Sequence, residues 1–274
     1  MVTMLQIRVI PCLLLQGDGL VKTIQFKNPR YVGDPINAVR IYNKKEVDEL
    51  IFLDIAASRK KGIFGPRAVG PRMDLISKIS DECFMPFSYG GGIKTVEQIR
   101  DILGTGVEKV SINTQAVDDP GFIRRAANVF GSQSIVAAVD VRRRHDGKYE
   151  VYTNGGAKPR GIDPVSHVRR MECLGAGEIF LNSIDQDGTM GGYDLALIKA
   201  VSSAVNIPVI ACGGAGKLDD FAPAVKSGAS AVAAGSFFVF HGKRRAVLIN
   251  YPARAELGAV LGDPITSDTG GVTP

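Results

Sequence analysis

Two glycine-rich turns stand out as places where backbone N–H groups can converge on an anion: Gly90-Gly91-Gly92-Ile93 and Gly213-Gly214-Ala215-Gly216. Each is followed by a polar strand end, Ser111-Ile112-Asn113-Thr114 in one case and Ala234-Gly235-Ser236 in the other. Such turns, with a helix N-terminus behind them, suit phosphate. One alone is ordinary βα punctuation, whereas two in matching positions point to a ligand with two phosphates. Asp140 closes the run SIVAAVD. The run IPCLLLQGDG ends its strand part on Leu14. If this loop opens an active site, a carboxylate would be useful at that position, and leucine moves no proton.

The elements that must position these groups are eight short apolar runs: IRVIPCLL, ELIFLDI, PFSYGGG, KVSIN, SIVAAVD, EIFLNSI, PVIACGG and AVAAGS. Amphipathic segments separate them, which predicts a parallel α/β fold, and eight units close a (βα)8 barrel. The chain also repeats itself. MPFSYGGGIKTVEQI echoes IPVIACGGAGKLDDF, and DELIFLDI echoes GEIFLNSI. We therefore expect one barrel over about residues 5–252, built from half-barrels of about 5–130 and 131–252. A Gly/Pro-rich tail, 253–274, is expected to be mostly disordered, with at most one or two helical turns. Alternate strand residues share a face, so Arg8 aligns with Cys12 and Leu14, Lys109 with Ser111 and Asn113, and Glu178 with Asn182. With Glu49, two cations and two anions meet at the strand starts. They form either a structural salt-bridge ring or a gate on a channel through the barrel.

Composition narrows the ligand. The 274 residues are 45% hydrophobic and 22% charged with a net charge of +5, a globular balance. The cations are scattered apart from Arg142-Arg143-Arg144 and Arg59-Lys60-Lys61, and there is no tryptophan, so an anionic small molecule fits better than nucleic acid. The four cysteines form no CxxC pair and read as reduced thiols. Without a leader pattern or an apolar run of about 18 residues, the expected place is the cytoplasm, away from membranes.

Over residues 5 to 251, the motifs IPCLLLQGDGLVK, DELIFLDIAAS, GGGIKTVEQI, KVSIN, GAGEIFLNSIDQDGTMGGYD and ACGGAG resemble the cyclase subunit of imidazole glycerol phosphate synthase. That resemblance implies a (βα)8 barrel that receives ammonia through its core from a glutaminase at its bottom. The family uses the ammonia to cleave and cyclise a bisphosphorylated ribulosyl-formimino aminoimidazole carboxamide, and neither metal nor cofactor is implied. It assigns the ammonia gate to Arg8, Glu49, Lys109 and Glu178. Phosphate and substrate contacts fall on Lys22, Gly92, Asn113, Thr114, Asn182, Asp187, Gly188, Gly214, Gly235 and Ser236. Asp140 matches one catalytic aspartate, which implies a general base or a stabiliser of a developing cation, the plainer reading being a capping or loop-orienting carboxylate; the other catalytic aspartate falls on Leu14.

Further departures are Cys212, at a position usually serine, and the loop Thr153–Arg160, which lacks a serine and one lysine of the family. The two basic runs are expected to make up for these with a more highly charged acceptor. An intact ammonia end with an altered ring-closing end resembles the paralogues of bacterial surface-polysaccharide pathways. Those pair with their own glutaminase and supply ammonia for amidating a sugar, with a separate sugar amidotransferase. The alternatives are an authentic histidine-pathway cyclase, a non-catalytic barrel that activates a glutaminase, and a phosphosugar isomerase, which would need a carboxylate at position 14.

Overall fold

A computed structural model describes residues 7–57, 70–242 and 244–262. The run Arg59-Lys60-Lys61 and the end of the tail, from 263 onward, lie outside the described residues. Eight strands pair in parallel: β1 (Arg8–Gln16), β2 (Leu50–Asp54), β3 (Phe87–Gly90), β4 (Lys109–Ile112), β5 (Ile135–Arg143), β6 (Glu178–Ser183), β7 (Val209–Cys212) and β8 (Ala231–Ala234). Each bonds to the next, and β8 returns to β1 through Arg8↔Ala231 and Val9↔Val232, so the barrel closes without an edge. All eight expected runs supply its strands.

The helices α1 (Pro35–Lys44), α2 (Met73–Glu82), α3 (Val96–Gly104), α4 (Gly121–Phe130), α5 (Pro164–Cys173), α6 (Leu195–Ser202), α7 (Phe221–Lys226) and α8 (Arg254–Leu261) follow the strands in order. Their starts are locally encoded. Asp34, Thr95, Asp163 and Asp194 each accept a hydrogen bond from the backbone N–H three residues on, and proline opens α1 and α5. Helix α8, with Leu257 buried, carries the fold past residue 252.

Two apolar clusters follow from the alternation of strand side chains. One faces the helices and includes Val9, Leu13, Phe52, Ile99 and Phe221. The other fills the barrel interior with Ile10, Cys12, Leu14, Ile51, Val136, Ala138, Phe180, Ile210, Cys212, Ala231 and Ala233. Strands β1 and β5 are the longest at nine residues each, and both run on into antiparallel hairpins at the barrel top. They open the two sequence repeats. A further short hairpin, Phe240–His241 with Ala246–Val247, follows β8.

On α5, His167 is buried and its Nε2 finds no hydrogen-bond partner. Burial, with repulsion from Arg170, holds its imidazole down to about 4. The unfolded chain, titrating near 6.5, takes up the proton first, so stability is complete above about pH 6.5 and declines toward pH 4. Replacing it by His167→Gln should flatten that decline, worth up to ~3 kcal/mol. Parallel acid-unfolding curves for the two proteins would contradict this.

Candidate functional site

The bottom of the barrel is closed by four charges on the first inward positions. The Arg8 guanidinium donates to Glu49 through one nitrogen and to Glu178 Oε1 through another, the latter at 2.7 Å. Lys109 Nζ completes the circuit, 3.1 Å from Glu178 Oε2 and 3.4 Å from Glu49. Ser88 Oγ donates to Glu49 Oε1 at 3.0 Å, and only 3% of Glu49 is exposed. Signs alternate around the ring, so it is neutral as a whole. Removing one member leaves a partly buried charge uncompensated.

Above the ring the interior is apolar as far as a cavity of about 390 Å³ at the strands' C-terminal ends. Asp140 enters it from β5, and Leu14 from β1, four strands away in either direction and so on the opposite wall. Asn113 Nδ2 donates to Asp140 Oδ2 at 3.0 Å. Burial, reinforced by the like charge of Asp187, pushes the Asp140 carboxyl up to about 7. Leu14 pairs in register with Val21 and Leu53, so the wall facing Asp140 is hydrocarbon.

The hairpin after β1 (Gly19–Ile24 with Lys27–Gly33) folds over this cavity. Asp187 pins it: Thr23 Oγ1 donates to its carboxylate at 2.7 Å and the Phe26 N–H at 3.2 Å, while Lys22 Nζ lies 3.6 Å away. Gly188 has φ +71° and passes so close to the Thr23 carbonyl that a Cβ would collide with it. At Gly235 an added Cβ would meet the Lys22 ammonium, the end of a flexible side chain. Lys22 therefore sits beside Gly235 and Ser236, a cation next to one of the two proposed anion positions.

All the sequence-predicted substrate residues line this one cavity: Lys22, Gly92, Asn113, Thr114, Asn182, Asp187, Gly188, Gly214, Gly235 and Ser236, together with Asp140. Ser236 Oγ, Asn113 Oδ1 and Asn182 Oδ1 are buried without hydrogen-bond partners, which marks them as groups awaiting a ligand or water. Cys212 also lines the cavity, beside Cys12. That thiol and burial push its titration well up, so it stays neutral and offers only a weak donor where a serine would give a good one.

Other expectations are not met. Arg142, Arg143 and Arg144 do not line the cavity. Arg142 lies over the Tyr152 ring and 3.6 Å from Asp185, Arg143 stacks on Tyr149 and pairs with Asp194, and Arg144 pairs with Asp146. Loop carboxylates absorb them, which spacing along one segment cannot reveal. Asp18, which lies too far along the loop after β1 to be assumed a substitute for a carboxylate at position 14, is exposed and bound to Arg72 at 2.6 Å, so it takes no part in the site. Asp54 does: it lines the cavity from the end of β2, accepts from the N–H groups of Ala56 and Ala57 at 3.0 and 3.1 Å, and is raised in pKa by burial. Its odd position beside inward-facing Leu53 hides it from a parity argument.

Fold and site together define a parallel barrel with a glycine-edged pocket at one end and an ion ring at the other. The chain matches the family model of histidine biosynthesis proteins over residues 8–244 and belongs to that family. Within it, the chain is of the imidazole glycerol phosphate synthase HisF-subunit type. A provisionally named imidazole glycerol phosphate synthase subunit hisF2 of Pseudomonas aeruginosa is 54% identical over 250 residues, covering 91% of this chain and 97% of the relative. A provisionally named subunit HisF of Leptospira interrogans is 47% identical over 260 residues, 94% of this chain and 100% of the relative. The imidazole glycerol phosphate synthase subunit HisF of Alkaliphilus metalliredigens is 46% identical over 235 residues, 85% and 90%. No helix among the described residues is long and apolar enough to cross a membrane.

A carboxyl raised from its ordinary value near 3.8 to about 7 costs the folded state stability once ionised, a cost that grows as pH rises through that interval. Carbon-13 titration of the Asp140 carboxyl should show a midpoint near 7. Asp140→Asn should gain in Tm relative to the parent between pH 4 and 7 and level off above. A midpoint near 4 would contradict the desolvated pocket.

Proposed function

We propose that this chain takes ammonia from a glutaminase docked at the ring face and delivers it, through the barrel, to a phosphorylated acceptor at the opposite face. The ring closure carried out by the family's cyclases is not its reaction. The observation that carries this reading is the Leu14 wall opposite Asp140. Every other feature fits a working barrel: the ion ring, the apolar interior, the lid hairpin with Lys22, and two polar strand-end pairs for anions. The neutral, apolar interior suits NH₃, which enters hydrocarbon far more readily than ammonium. Lys22, the N–H groups around Gly92, Gly214 and Gly235, and Ser236 hold phosphate; Asp140, titrating near neutrality, accepts or returns one proton.

Ring closure through two opposed carboxylates is a different matter. Loss of one member of an acid/base pair typically lowers rate by about 10²- to 10⁴-fold. Ammonia that arrives here without being built into an imidazole ring is available for another acceptor. We assign that acceptor to sugar amidation in surface-polysaccharide biosynthesis, with a separate sugar amidotransferase completing the transfer. This assignment rests on the resemblance to the paralogues. The histidine-pathway cyclase is the competing reading, and the Leu14 test decides between them.

Supplied with ammonium salts, the chain should turn over the bisphosphorylated ribulosyl-formimino aminoimidazole carboxamide at least about 100-fold more slowly than a cyclase holding both carboxylates. Leu14→Asp should recover part of the rate, incompletely because Cys212 and the loop Thr153–Arg160 remain altered. A parent rate equal to that of such a cyclase would establish the histidine-pathway reading instead. At the other end, Lys109→Ala should uncouple the pair, lowering glutamine-dependent transfer while ammonium-dependent transfer persists. Equal efficiency from both nitrogen sources in that variant would exclude the gate.

A further inference from the structure

A second cavity, of about 300 Å³, lies on the same face as the first and has no part in the chemistry above. Its walls are mainly apolar: Met190, Phe237, Phe240, Leu248 and Pro252. The hairpin after β8 forms one side of it and is firmly held. The Leu248 N–H donates to the Val239 carbonyl at 3.0 Å, Asn250 to Phe238 at 2.9 Å, and the Arg245 guanidinium to the Thr189 carbonyl at 3.2 Å. The Arg30 guanidinium lies 5.9 Å above the Phe240 ring, which joins this hairpin to the one that carries Lys22 into the main cavity.

Both hairpins expose apolar side chains toward solvent. Leu248 is 53% exposed and Tyr31 65%, with Val247 and Ile24 also open. Their charge is one-sided: residues 19–33 and 240–250 contain six lysines and arginines and no aspartate or glutamate. Lys22 is engaged by Asp187 and Arg245 by the Thr189 carbonyl, which leaves Lys27, Arg30 and Arg244, among the described residues, to complement an apolar side chain flanked by carboxylates. A second copy of this chain would bring cations against cations, so self-association does not fit.

We infer that these two hairpins and the groove between the hairpin after β8 and the Thr189–Met190 loop dock the protein that consumes the ammonia, through an apolar anchor in the groove and carboxylates against Lys27, Arg30 and Arg244. The inference rests on the ammonia-transfer reading and extends it to the exit side. Ammonia leaving the pocket into neutral water is protonated and lost as a nucleophile, so its consumer must seal against this face. Because Arg30 and Lys22 belong to one hairpin, docking at the groove also holds the lid over the first cavity.

The test places a photo-crosslinking side chain at Leu248 of the full chain in producing cells, and at Phe84 in a companion strain. Phe84 is 86% exposed in the loop entering β3, on the ring face. The Leu248 probe should capture a protein that, once purified, uses ammonia from the barrel and its glutaminase; the Phe84 probe should capture the glutaminase. Leu248→Asp and Arg244→Glu should each weaken binding of that captured protein at least tenfold. Arg244→Glu should also reduce the salt dependence of binding, and in both variants transfer from ammonium salts should stay unchanged. Capture at Phe84 with none at Leu248, or with only a second copy or a protein that does not use ammonia, overturns the docking inference and spares the transfer reading. No glutaminase at Phe84 overturns both.

Discussion

Every second residue of a closed parallel barrel must fill the interior, and this one constraint places both ends of the site. On β1 it sets Arg8, Ile10, Cys12 and Leu14 in a single inward column, from an ion pair at the bottom to the cavity wall at the top. Lys109 and Ser111 on β4, with Asn113 just beyond it, repeat the pattern, as do Glu178, Phe180 and Asn182 on β6. A one-residue slip in any of these strands would turn the column toward the helices. Closure of the barrel from β8 to β1 forbids it. The ring and the pocket are therefore joined by the same strands, and what passes between them must pass an apolar lining.

That lining gives the substitution at position 14 its meaning. A leucine in the core is usually packing, and Leu14 does pack, against Val21 and Leu53. Its position is what matters, since it presents hydrocarbon to the cavity from the wall opposite Asp140. The pocket holds Asp140 with a raised pKa and a lid fastened through Asp187, while no carboxylate faces Asp140 from position 14.

The fold was legible because its signals are local and periodic. Eight apolar runs ending in polar or glycine loops correspond one for one to the barrel strands, and the charges of the ring follow from counting by twos. Groups whose role depends on contacts between distant loops were not legible. Asp54 escapes parity because the chain bends at Ala56 and Ala57 to satisfy it. Arg142, Arg143 and Arg144 look like free cations until Asp185, Asp194 and Asp146 are brought beside them. The pinning of the first hairpin joins Thr23 and Phe26 to Asp187, far away in the chain, and no short motif encodes it.

The central claim is that this barrel binds a bisphosphate in its upper cavity without closing a ring on it. Phosphorus-31 NMR of the chain mixed with the bisphosphorylated ribulosyl-formimino aminoimidazole carboxamide and ammonium salts reads binding and turnover together. The account predicts broadened, shifted signals for the bound phosphates, with no new phosphate esters over many hours. Prompt appearance of two product phosphates, or signals identical with and without the protein, would contradict it.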